Sequence, residues 1–126
     1  MVREAQFVTT REAETPDVAV KVQNLTKVYG NGYPAVNGTS FHIKKNEVLG
    51  LLGPNGAGKS TTFSILTMDQ PKSFGEIRVL RTHIEDFDCM TQGKFLGLAA
   101  QANIIWDTLT VDEHLTFIGK VKGLSP

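Results

Sequence analysis

The chain predicts an α/β fold, on three observations. An apolar run, Val48-Leu49-Gly50-Leu51-Leu52, leads directly into the glycine-rich stretch 53–58, and Thr61-Thr62-Phe63-Ser64-Ile65-Leu66 follows as a helix. Strand, tight loop and helix in that order make a parallel-sheet α/β unit, whose strand is apolar throughout because both faces are covered. Segments at 18–22 and 75–80 alternate as strands do, and Thr110-Val111-Asp112-Glu113 opens a second helix.

Taken in order, residues 1–17 carry Arg3, Glu4, Arg11, Glu12, Glu14, Pro16 and Asp17 with little periodicity, which reads as a lead-in or linker. The domain then occupies 18–126. Val18-Ala19-Val20-Lys21-Val22 is rich in β-branched residues and starts a strand. Residues 27–34, with Gly30, Gly32 and Pro34, form a turn-rich loop carrying Tyr29 and Tyr33. Extended structure resumes from Ala35 to Ile43, with a bulge or bend at Asn37-Gly38 and a turn at Lys44-Lys45-Asn46. The buried strand Glu47–Leu52 and the loop helix, running to about Met68, come next. Gly75–Leu80 alternates as a strand, Asp86–Gln92 makes a short helix, and Lys94–Ala100 is apolar enough for a core strand ending at Gln101. Beyond Thr110 the residues Val111, Leu115, Ile118 and Val121 recur at helical spacing, and Gly123 supplies a stop.

The chemistry sits in Gly53-Pro54-Asn55-Gly56-Ala57-Gly58-Lys59-Ser60, a complete G-x-x-x-x-G-K-[ST] pattern. Its glycines let the backbone turn until successive N–H groups converge on phosphate oxygens. Lys59 can reach the outer phosphates and the Ser60 hydroxyl can ligate Mg²⁺. The helix starting near Gly58 aims the positive end of its dipole at the same anion. Nucleotide binding is the reading.

Size and charge bound the rest. With 126 residues there is room for one domain at most, and 40% apolar against 21% charged residues describe a globular chain. Thirteen basic side chains balance thirteen acidic ones, so nothing favours a nucleic-acid or anionic-membrane partner. The lone Cys89 excludes an internal disulfide and fits a reducing compartment. No apolar stretch approaches the ~20 residues a membrane helix needs, and Met1–Gln6 starts no signal peptide. Any work at a membrane is expected through a partner or through sequence absent here.

The loop with its flanks, Gly50-Leu51-Leu52 before and Thr61-Thr62 after, resembles the first half of the ATP-binding domain of ABC transporters. So do a tyrosine ahead of it and a Gln followed by Leu109-Thr110-Val111-Asp112-Glu113-His114-Leu115. Glu47, Gly75-Glu76-Ile77 and that last stretch lean toward the A subfamily of lipid exporters. The resemblance covers residues 18 to 124. It implies a P-loop NTPase fold, an ABC-type ATPase core with an antiparallel β subdomain, here incomplete.

Carried over by position, Tyr29 matches the aromatic residue on which adenine stacks, with Tyr33 as the alternative. Val36 matches an apolar position beside the base or is a plain strand residue. Residues Gly53 to Thr62 hold the phosphates of ATP, and Ser60 and Gln101 hold Mg²⁺. The resemblance further implies transmembrane domains as partners, a second ATP-binding domain closing a dimer sandwich, and a place at the cytoplasmic face of a membrane. Arg81 and Met68 stand where the family has glycine, and Ala100 where proline commonly precedes the glutamine.

No run of four apolar residues ends in Asp-Glu; Ile104-Ile105-Trp106-Asp107 has three apolar residues and no acidic neighbour. There is no L-S-G-G-Q-like signature, and His42, His83 and His114 read as surface or packing histidines. No catalytic residue is therefore assigned. This polypeptide alone is expected to hydrolyse ATP negligibly and to be part of a longer chain. The alternatives are a non-transport ABC or other P-loop ATPase, and a truncated nucleotide-binding isoform without turnover.

Overall fold

The computed structural model describes residues 17–30, 32–88, 96–102 and 105–124. The lead-in expected over 1–17 lies outside them except for Asp17, as do Cys89 and most of the helix expected over 86–92. The chain divides into two compact units, residues 1–86 and 87–126.

In the first unit an antiparallel sheet forms from β1 (Val18–Val28), β2 (Pro34–Lys44), β3 (Phe74–Val79) and β4 (Thr82–His83), in the order β2-β1-β3-β4. β1 runs six residues beyond Val22, into what the glycines and tyrosines marked as loop. The reason is pairing: Lys27 faces Val36 and Val28 faces Pro34 across β2. The turn then closes within 29–33, where the Gly32 amide donates to the Tyr29 carbonyl at 2.9 Å. The bulge or bend expected at Asn37-Gly38 is present as a register shift between Leu25↔Thr39 and Lys27↔Val36. A second irregularity centres on Asn24 (φ 50°), whose amide donates to Ser40 Oγ at 2.8 Å. Gly75 (φ 96°) lies against it, and a side chain there would press into the Asn24 carbonyl.

The helix α1 (Lys59–Leu66) packs on this sheet. Val22, Leu25 and Ile77 from the strands meet Ile65 of α1, with Val36 and Ile84 completing one buried cluster. A 3₁₀ turn, Ile84–Asp86, delivers Ile84 to it. Residues 47–52 correct an expectation: they carry no ladder, and Val48 and Leu52 are 96% and 88% exposed. An apolar parallel strand is buried only between neighbouring strands, and the described residues pair all their strands within the antiparallel sheet. Residues 96–100 likewise form no strand, and Gly97–Ala100 are exposed; Lys94 and Phe95 lie outside the described residues.

The two residues expected as glycine explain themselves through the backbone. Leu80 (φ 48°) and Arg81 (φ 71°) make the two-residue turn between the paired Val79 and Thr82, a primed hairpin turn that needs positive φ at both positions. Met68 (φ 62°) leaves α1 in the same left-handed region, offset by packing its side chain on the core. No helix among the described residues is long and apolar enough to cross a membrane.

The second unit is organised by α2 (Val111–Val121), which the sequence located from its caps. Thr110 Oγ1 accepts from the Glu113 amide at 3.3 Å, and the Glu113 carboxylate accepts from the Thr110 amide at 2.8 Å, a complete capping box. At the other end Leu124 N donates to Gly119 O and Gly123 N to Lys120 O, the paired bonds of a Schellman stop. His114 is a packing histidine: its Nε2 accepts from the Trp106 amide at 2.9 Å while its ring stacks on Trp106. The proton therefore sits on Nδ1, 3.1 Å from the Thr110 carbonyl. Val111, Leu115, Ile118 and Val121, one apolar stripe in the sequence, are all exposed.

Arg81→Gly should raise stability by about 0.5–1 kcal/mol, because relief of left-handed strain exceeds the added unfolded-state entropy; the urea midpoint checks this, and a lower midpoint would refute it. The Thr110 amide and hydroxyl hold the Glu113 carboxyl below its ordinary 4.5. A depressed folded-state value means the cap's contribution is complete above pH 4.5 and is lost as pH falls through the folded value. Far-UV circular dichroism should thus show acid-induced helix loss that Glu113→Gln weakens.

Candidate phosphate-binding site

The loop 53–58 owes its shape to what lies beneath it. Gly58, the N-cap of α1, has φ 84°, and a Cβ there would collide with the Ala35 carbonyl oxygen and come within 3.0 Å of Val36 Cγ2. Only a residue without a side chain lets the loop's end settle this close to β2. Gly56 is also left-handed (φ 82°) but meets nothing within 4 Å. Ala57 N donates to Pro54 O at 3.2 Å, tightening the loop on itself.

At the start of α1 the first amides have no side-chain cap, and no acidic residue lies in the first turn. Most helices neutralise this end with a Ser, Asp or Glu. Here the positive pole has neither cap nor carboxylate. Thr62 N makes the first helical bond, to Gly58 O at 2.8 Å, so the amides before it are the available donors. Lys59 adds a full charge at the same place. Its Nζ donates to Gly53 O at 2.7 Å and Pro54 O at 2.8 Å, folding the ammonium back across the loop. Exposed amides, an uncapped helix pole and a positioned ammonium can together hold a polyanion.

The first unit brings together Tyr29, Val36 and Gly53 to Thr62. Ser60 is exposed beside Lys59, its hydroxyl an oxygen donor of the kind hard divalent cations take. Thr62 is buried, its amide committed to the helix, so it anchors the first turn. Val36 is 5% exposed, inside the core and directly under Gly58. Tyr29, just past β1, is 41% exposed, and its hydroxyl lies 3.4 Å from Thr61 Oγ1. Tyr33 is exposed as well. Gln101 belongs to the second unit, exposed in a bend.

Two further side chains act on Tyr29 and went unread in the sequence. The Tyr29 hydroxyl donates to Gln70 Oε1 at 2.8 Å, and Lys27 Nζ lies 5.3 Å from the centre of the ring. Neither residue belongs to any motif, and a lone polar residue after a helix carries no signal of its own. Among the described residues no three or more His, Cys, Asp or Glu gather as a metal site.

Comparison with known proteins agrees with this geometry. The family model described as ABC transporter matches residues 36–123. ABC transporter A family member 9 of Arabidopsis thaliana is 34% identical over 125 residues, covering 88% of this chain and 13% of the relative. The phospholipid-transporting ATPase ABCA7 of Homo sapiens is 39% identical over 107 residues, covering 84% of this chain and 5% of the relative. The chain thus spans about an eighth or less of these relatives' length. Among solved structures, an ATP-binding subunit of an ABC transporter superposes with a TM-score of 0.76 at 25% identity, over 85% of this chain and 44% of that one. A dimeric bacterial ABC transporter cassette gives 0.72 at 25% identity, over 85% and 49%.

Gly58→Ala should destabilise by about 2–5 kcal/mol, combining backbone strain with overpacking against Ala35, whereas Gly56→Ala should cost only about 1–2 kcal/mol of strain. Chemical denaturation of the pair checks this; equal losses would mean the Ala35 contact is unimportant.

Proposed function

Because the chain belongs to the ABC transporter family, we propose that it grips Mg-ATP as the phosphate-binding part of a transporter's ATP-binding domain. The observation that carries the reading is the uncapped, unneutralised start of α1, seated on β2 by Gly58 and carrying the Lys59 ammonium. In this reading the free loop amides of Asn55, Gly56 and Gly58, the first-turn amides of Lys59 and Ser60, and the Lys59 ammonium hold the phosphate tail, releasing Lys59 from the Gly53 and Pro54 carbonyls. Ser60 ligates the magnesium ion that arrives with the nucleotide, and Thr61 closes the first turn around it. Tyr29 offers its ring to the adenine, a contact worth about 1–3 kcal/mol in nucleic-acid binders and indifferent to base identity. Val36 and Thr62 hold the loop and helix in place from the core. Gln101, on the family resemblance, completes the cation's shell and relays nucleotide state to the membrane-embedded partner.

In the intact protein two such domains would enclose ATP between them, and their closing and opening would move attached transmembrane domains at the cytoplasmic face of a membrane. The dimeric bacterial neighbour supports the pairing. The phospholipid-transporting relative supports a lipid substrate. Phosphoryl transfer to water needs a group that orients the nucleophile, besides positioning and charge stabilisation. The 126 residues contain no apolar strand ending in paired acids to supply one, so this polypeptide by itself binds ATP and turns it over negligibly.

Lys59→Ala should weaken ATP binding by about 1.5–3 kcal/mol, the worth of charge-assisted hydrogen bonds, and weaken inorganic tripolyphosphate equally. Displacement of a fluorescent ATP analogue, with and without Mg²⁺, measures both; undiminished binding by the variant would overturn the reading.

A further inference from the structure

The segment following α1 grips the end of β1 at several points. Gln70 Oε1 accepts from the Tyr29 hydroxyl at 2.8 Å, and Pro71 O accepts from Lys27 Nζ at 2.6 Å. Ser73 N donates to Thr26 O at 2.9 Å, and Ser73 Oγ accepts from the Val28 amide at 3.0 Å. The segment is tied in turn to α1, since Asp69 N and Gln70 N both donate to Ser64 O, at 2.9 and 3.2 Å. Residues 69–73 therefore form a strap between the back of the phosphate-loop helix and the strand end that carries Tyr29.

Within that strap one bond fixes the aromatic ring itself. A tyrosine past the end of a strand, 41% exposed, would otherwise sample several rotamers. Its single hydroxyl proton goes to Gln70, leaving the oxygen to accept from Thr61 Oγ1 at 3.4 Å, in the first turn of α1. Lys27, held by Pro71, lies 5.3 Å from the ring centre. The hydroxyl is thus anchored to the segments at both ends of α1, and the ring is held from its edge while much of it stays exposed.

We propose that Gln70 is a positioning residue for nucleotide binding: by accepting the Tyr29 hydroxyl it fixes that ring as a ready-made platform for a purine base. The proposal rests on the reading of Tyr29 as the base-stacking residue. Preorganisation of this kind acts on the base and leaves the phosphate tail untouched, and a stacking platform does not distinguish adenine from guanine.

The test uses the full chain with three ligands: ATP, GTP and inorganic tripolyphosphate, each with Mg²⁺. Gln70→Leu should weaken ATP and GTP alike by about three- to tenfold, the scale of one neutral hydrogen bond, with tripolyphosphate affinity unchanged. Tyr29→Phe removes the same bond from its other end; it should give the same loss, and the double variant no more than either alone. Should Gln70→Leu fail to fold, Tyr29→Phe still decides the matter through the nucleotide-to-tripolyphosphate ratio. Unchanged ATP affinity in these variants, or an equal fall for tripolyphosphate, overturns the role of Gln70. Tyr29→Ala separates this from failure of the underlying reading: if it leaves the ratio of ATP to tripolyphosphate affinity intact, Tyr29 is not the base-stacking residue, whereas a lowered ratio there with an unchanged ratio in Gln70→Leu overturns the role of Gln70 alone.

Discussion

Everything functional in the first unit depends on how closely one backbone can approach another where β2 passes under the start of α1. The Ala35 carbonyl occupies the space a side chain at position 58 would need, and Val36 Cγ2 lies at its edge. With glycine there, the end of the loop turns left-handed and sets the first amides of α1 at the surface. Any larger residue would have to lift the loop off the sheet, and the helix pole, the lysine and the serine hydroxyl would shift with it. One close contact between main-chain atoms thus sets the direction of the helix start, the Lys59 ammonium and the Ser60 hydroxyl together.

The electrostatics follow from what is withheld as much as from what is supplied. Neither a capping side chain nor a first-turn carboxylate satisfies the start of α1, whereas α2 shows the ordinary solution, a Thr110–Glu113 box that uses its free amides internally. The two helices form a controlled contrast within one chain. α2 is locally complete and needs no anion at its end. α1 leaves its donors unspent, the condition under which a helix start can take an anion. Lys59 meanwhile rests on two loop carbonyls, a neutral shelter that a phosphate, being charged, can outcompete.

Several positions show function and strain sharing the same backbone. Met68 and Arg81 take left-handed conformations at positions where glycine was the expectation, one at the exit of α1 and one in the β3–β4 turn. Met68 gains core packing in exchange. The strap that begins just after Met68 then returns to β1 and reaches Tyr29, so the sharp exit from α1 is what allows Gln70 to meet the ring.

What could be read from the chain in advance was whatever is settled between near neighbours in sequence. The phosphate loop, the Thr110–Glu113 cap and the Gly123 stop all act within a few residues, so residue type and spacing were enough to place them. The β1–β2 bulge was legible at Asn37-Gly38 for the same reason. The length of β1 was not, because Lys27 and Val28 are extended only through pairing with Val36 and Pro34. Nor was the exposure of 47–52, since an apolar run states a preference for burial and the surrounding strands decide whether it is met. Gln70 and Ala35 had no signature at all: one touches Tyr29 across 41 residues of chain and the other lends only a carbonyl. Local hydrogen bonding is encoded by residue type and spacing, whereas contacts between distant segments depend on a geometry that exists only once the sheet and α1 have packed.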